Sequence, residues 1–261
     1  MLKFNFKPLK PELLVLSASP VCIGTAMAYG DGIHHWPTFF IMLLGALMLH
    51  IGINLPKEMK FPKILSFLSV IPACVYLILR AELPVGFIGV TIIIIGFLHA
   101  TERFTLKFAG LDDILALLFF GIFTLPICYY AQSFEINTAV LLSGIAPGLF
   151  GVSIITIGNI RDIDKDNRQN KATVATKFGK NIALGKYLFS IICASLTPVL
   201  IYNITFDHEK TLSAVIVSLF AIPTVTNVFT KSDEASFSRA RLDTIRLLAI
   251  YTMLFSWGWI R

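Results

Sequence analysis

The stretch 158–173 reads Gly-Asn-Ile-Arg-Asp-Ile-Asp-Lys-Asp-Asn-Arg-Gln-Asn-Lys-Ala-Thr and gathers most of the residues in this chain that can do chemistry. If the apolar helix before it continues, Asp162 and Asp166 stand at i and i+4. They then share a face, with about 6 Å of axial rise between them. Two carboxylates at that separation can hold a hard divalent cation, and magnesium suits them best, since it binds through one or two carboxylates plus substrate phosphates. Asn159 falls on the same side, and Arg161, Arg168 and Lys171 supply the cations a diphosphate requires. Asp164 points away and reads as solvated. The same mixture of charges is also what a solvated turn between two helices looks like, and spacing alone leaves both readings open.

The elements that must position these residues are apolar helices. Of 261 residues 56% are hydrophobic and only 15% are charged, with a mean hydropathy of +0.76. A water-soluble domain carries about 25% charged residues, so an ordinary soluble enzyme, a disordered chain and a coiled coil are excluded. About nine apolar runs approach the ~20 residues that cross a bilayer: 13–29, 36–55, 64–79, 83–100, 114–131, 136–158, 182–204, 212–229 and 245–260. They are continuous rather than alternating, which excludes a membrane β-barrel. The expectation is one all-α bundle of about nine transmembrane helices, a single domain over residues 1–261.

With the N-terminus in the cytoplasm, all but Arg80, Lys210 and Arg261 of the 22 Lys and Arg fall on or just inside the cytoplasmic side. That asymmetry explains the net charge of +6 without invoking nucleic acid. It places the 159–181 loop, and any site built on it, at the cytoplasmic face of a cell membrane. Cys22, Cys74, Cys128 and Cys193 are scattered through apolar runs with no metal-binding spacing. His50 stands one turn before Asn54, so His50, Asn54 and Glu58 can line one stripe facing the bundle interior. His50 reads first as a hydrogen-bonded packing residue, and functionally as a contact to an aromatic substrate ring.

The run Asn159-x-Arg161-Asp162-x-x-x-Asp166-x-x-x-x-Lys171-x-Thr173-x-Ala175-x-Lys177-x-Gly179 resembles the second aspartate motif of the UbiA superfamily of membrane prenyltransferases. Among its branches the chain is most similar to the dihydroxynaphthoate prenyltransferases of menaquinone synthesis. Phe108-Ala109-Gly110-Leu111-Asp112-Asp113 and Phe119-Phe120-Gly121 resemble that branch's junction between its fourth and fifth helices, and Lys10-Pro11 with Ser19-Pro20-Val21 its opening helix. The first aspartate motif is degenerate. In Asn54-Leu55-Pro56-Lys57-Glu58-Met59-Lys60-Phe61-Pro62, Asn54 matches, Glu58 replaces the first Asp, and Phe61 and Pro62 occupy the place of the second. Thr101-Glu102-Arg103 replaces a Gly-Gly-Pro stretch.

The resemblance implies transfer of a polyprenyl group from its diphosphate to a small aromatic acceptor, inside a bilayer, with magnesium-assisted ionisation. Asp162, Asp166 and Lys171 are then the catalytic residues. Asp162, Asp166 and Glu58 are the metal ligands, and Asn54, Asn159, Arg161, Arg168 and His50 bind substrate. The alternative is a non-catalytic protein of the same fold that binds an isoprenoid or quinone, and the degenerate first motif is its argument. A transporter lacks support, because no ionisable pair lies deep in the runs.

Overall fold

The computed structural model describes residues 11–56, 58–100, 109–231 and 233–261. Lys10, Lys57, Phe108 and the segment 101–103, singled out above, lie outside them. The described chain is helical without strands: α1 Leu14–Gly30, α2 Trp36–Asn54, α3 Lys60–Leu68, α4 Ile71–Ala100, α5 Leu111–Leu117, α6 Thr124–Ser133, α7 Thr138–Ser143, α8 Ile145–Arg161, α9 Ile163–Arg168, α10 Val174–Phe178, α11 Lys180–Thr205, α12 Val217–Thr230 and α13 Glu234–Ile260. Local chemistry starts several of them. The His35 ring accepts the Thr38 N–H, with Pro37 in the first turn of α2. Asn137 caps α7 through the Val140 N–H at 2.9 Å, and Asp233 caps α13 through Ser236 at 2.9 Å.

The apolar runs sit where expected, with three differences. Helix α4 is helical throughout, yet Gly86 abuts Ile78, and Gly89 lies against Cys74 and Leu77. In a straight helix residues eight and fifteen apart are separated by about 12 and 22 Å. The third and fourth runs therefore lie side by side rather than end to end. The run 245–260 is the second half of α13, whose first half carries Arg239, Arg241, Asp243 and Arg246. Finally, six helices among the described residues are long and apolar enough to cross a membrane, with Leu14–Gly30 and Gly86–Phe97 apolar but shorter.

Helix α8 is the axis of the bundle. Its span, Thr138–Arg161, is 72% buried, against 22% for α2 at the periphery. It packs against α11, α13 and α5, and the main core runs through Phe150, Ile154 and Ile157 of α8 to Tyr187, Leu248 and Tyr251. Phe40, Leu44, Leu79 and Leu219 stay exposed, as side chains facing lipid do.

Between α5 and α6 the backbone widens into a π turn, Leu118–Ile122, where the Phe123 N–H reaches back five residues to the Leu118 carbonyl. The cause is a close approach to α8. A Cβ at Gly121 would strike the Gly144 carbonyl, and one at Gly148 would lie 2.8 Å from the Leu117 carbonyl. Only glycine permits that contact on either side. The widened turn leaves Phe119 and Phe120 on the wall of an internal cavity.

Candidate active site

Asp162 does not continue α8. It is the residue at which α8 ends and α9 begins, with backbone angles of −95° and 13°. The i to i+4 relation survives the break, because the Asp166 N–H donates to the Asp162 carbonyl at 2.8 Å. The two side chains differ in exposure. Asp162 faces the cavity and receives both Nε and Nη2 of Arg161, at 2.8 and 2.7 Å. Asp166 is buried, 5% exposed.

The segment after Asp166 is built to bring Lys171 back to it. Helix α9 ends in a Schellman motif, with the Lys171 N–H on the Asp166 carbonyl at 2.9 Å and the Asn170 N–H on the Asn167 carbonyl at 3.2 Å. Asn170 takes the left-handed conformation this turn needs, φ 52°. Thr173 then caps α10 in a reciprocal box with Thr176, whose hydroxyl also donates to the Lys171 carbonyl at 3.0 Å. This is the physical content of the Lys-x-Thr pattern: the threonines fix the backbone that carries the lysine. Lys171 Nζ stands 3.9 Å from Asp166 Oδ2, beyond hydrogen-bond distance, and that oxygen has no hydrogen-bond partner among the described residues. Burial raises the Asp166 carboxyl above the ordinary carboxylate value, and Lys171 offsets this only in part.

These residues border a cavity of about 380 Å³ between the cytoplasmic ends expected for α2, α5, α8 and α13. Its polar wall is Asn54, Asp112, Asn159, Arg161, Asp162, Lys171 and Arg241. A second, apolar chamber of about 150 Å³ adjoins it, lined by Met42, Leu49, Cys74, Leu77, Ile92 and Ile127. His50, Ile53, Asn54, Gly96, Phe119 and Phe120 belong to both, so the two chambers meet at a neck. A charged head fits one and a hydrocarbon tail the other.

Of the residues expected at a site, Asn54, His50, Asn159, Arg161, Asp162 and Lys171 are thus brought to one cavity. Asp166 stands behind its wall and reaches it through Lys171. Arg168 is exposed on α9, and Glu58 is exposed on the turn before α3, neither of them lining the cavity. Arg241 and Asp112 were not expected. Arg241 arrives from α13, and its Nε is buried without a hydrogen-bond partner among the described residues. An arginine in a helix that turns apolar half-way along is the signal that could have marked it.

Among the described residues no three His, Cys, Asp or Glu side chains converge closely enough to enclose a metal by themselves. Magnesium does not need them to, since it takes one or two carboxylates and completes its shell with phosphate oxygens and water. The unpartnered Asp166 Oδ2 and the cavity-facing Asp162 are oxygen donors of that kind, and the set fits.

Comparison with known proteins identifies a family and several relatives. The profile of the UbiA prenyltransferase family matches residues 63–258, more than half of the chain. A 1,4-dihydroxy-2-naphthoate octaprenyltransferase of Escherichia coli is 24% identical over 237 residues, covering 77% of this chain and 76% of that one. A solved digeranylgeranylglyceryl phosphate synthase superposes with a TM-score of 0.67 at 15% identity, over 97% of this chain and 99% of that one. A UbiA homolog from Archaeoglobus fulgidus bound to Cd2+ gives 0.64 at 10% identity, over 96% and 98%.

Proposed function

The chain belongs to the UbiA prenyltransferase family, and from that premise we propose that it moves a polyprenyl group from its diphosphate to an aromatic acceptor of the dihydroxynaphthoate kind. The observation that carries this is the pair of chambers, one charged and one apolar, joined at a neck. The naphthoate acceptor rests on the relative named above.

The diphosphate lies in the charged chamber, where Arg161, Lys171 and Arg241 present donors to its oxygens. Its tail runs into the apolar chamber, which keeps water from the reacting carbon. That carbon therefore sits at the neck. Asp162 and Asp166 hold a divalent ion, magnesium in this reading, and a homolog bound to Cd2+ supports the presence of a metal. When bound, the ion supplies Lewis-acid neutralisation of the leaving diphosphate. Arg161 holds Asp162 in place through its two-point ion pair, and the Schellman turn holds Lys171 against Asp166. Glu58, exposed and away from the cavity, takes no part. Positive charge on the loops supports a cytoplasmic position for this mouth.

Membranes containing the chain, supplied with magnesium, farnesyl diphosphate and 1,4-dihydroxy-2-naphthoate, should form prenylated product. Asp162→Ala should remove it while leaving the purified protein monodisperse. Product formation that Asp162→Ala and Asp166→Ala both leave unchanged would refute the assignment.

A further inference from the structure

His50 is the one titratable ring in the wall of both chambers. It is 6% exposed, on α2, and its Nδ1 lies 2.6 Å from the hydroxyl of Ser17, itself buried on α1. Among the described residues the Ser17 hydroxyl has no other acceptor, in contrast to Ser19, which donates to the Val15 carbonyl. The hydroxyl hydrogen therefore goes to Nδ1, which fixes the tautomer and leaves the ring's own hydrogen on Nε2. That Nε2 is buried with no hydrogen-bond partner among the described residues. A buried N–H without a partner is costly, and native structures keep few of them without a reason. The open space against this ring is the neck.

The neighbours make the site selective. Phe120 stands 6.2 Å from the His50 ring, centroid to centroid, and Phe119 lies beside it, both set there by the π turn. Two aromatic faces and the ring N–H, beside an Asn54 amide that donates to the His50 carbonyl, suit a flat ring that bears an oxygen. They do not suit a diphosphate, for which the cations lie further along the cavity.

We propose that His50, oriented by Ser17, donates from Nε2 to a ring oxygen of the aromatic acceptor and holds it at the neck, against the reacting end of the prenyl chain. This rests on the transfer reading above. It makes His50 a determinant of acceptor binding and leaves the prenyl diphosphate to the charged residues.

The test uses the full chain in detergent, with magnesium, farnesyl diphosphate and 1,4-dihydroxy-2-naphthoate. His50→Leu should lower kcat/KM for the acceptor roughly 10- to 100-fold, while the affinity for farnesyl thiolodiphosphate stays within about twofold of wild type. His50→Gln, which keeps an N–H donor, should recover much of the loss. Ser17→Ala should produce a smaller loss of the same kind. An active wild type whose His50→Leu variant keeps its acceptor kcat/KM overturns this inference alone. So does a variant that loses both substrates equally, with Gln no better than Leu, because a packing role predicts that. A wild-type chain that transfers nothing to any acceptor overturns the transfer reading, and this inference with it.

Discussion

Two corners of the cavity invite comparison, the end of α8 and the end of α2. At the first, Asp162 is gripped by Arg161, Asp166 is buried, and a Schellman turn with a capping box returns Lys171 to the cavity wall. At the second, Asn54 reaches the cavity with His50 and Ile53, its amide donating to the His50 carbonyl at 2.9 Å, and Glu58 is exposed on the turn before α3. The backbone explains the contrast. One carboxylate corner is held by the Arg161–Asp162 pair, the Schellman turn and the Thr173–Thr176 box, whereas at the other α2 gives way to Pro56 and an exposed turn before α3, and Phe61 is exposed. The charged side chains of the cavity wall gather at the end of α8, with Arg241 of α13 beside them.

Substitutions can break or sharpen that asymmetry. The largest effects belong to Asp162→Ala and Asp166→Ala, each expected to lower kcat roughly 10²- to 10³-fold in a radiolabelled transfer assay, as loss of a main stabiliser of leaving-group charge does. Arg241→Leu should follow, with a rise of about 10- to 100-fold in the KM for farnesyl diphosphate. Steady-state kinetics that show no such rise would return the diphosphate to the α8 corner alone. Thr173→Val removes a helix cap worth about 1 kcal/mol and frees the backbone beneath Lys171. It should cost several-fold in activity and a few degrees in thermal unfolding followed by tryptophan fluorescence. Glu58→Gln should change turnover by less than about twofold. A loss as large as that of Asp162→Ala would show the two corners to be equivalent.

The bundle was legible in the sequence because transmembrane helices must bury or face lipid with long apolar runs, and those runs mark themselves. The second aspartate motif was legible for the same local reason, since its residues, Asn159 to Gly179, lie within 21 positions of each other. Periodicity along one helix could not show that α8 ends at Arg161 and that a break at Asp162 separates it from the short helix carrying Asp166. Nor could it show that the runs 64–79 and 83–100 lie side by side, or that a glycine contact with α8 accompanies the widened turn at Leu118–Ile122. Arg241 and Asp112 escaped because their meeting with Asn159 depends on how α13 and α5 pack against α8, which is a long-range fact.

The central claim is that the α8 corner binds a divalent ion and, with it, the head of a prenyl diphosphate. Isothermal titration of the purified chain with farnesyl thiolodiphosphate, with magnesium and with EDTA, tests it most directly. Binding that requires magnesium and vanishes in the Asp162→Ala, Asp166→Ala double variant is the predicted result. Equal binding in EDTA, or binding that the double variant retains, would contradict it.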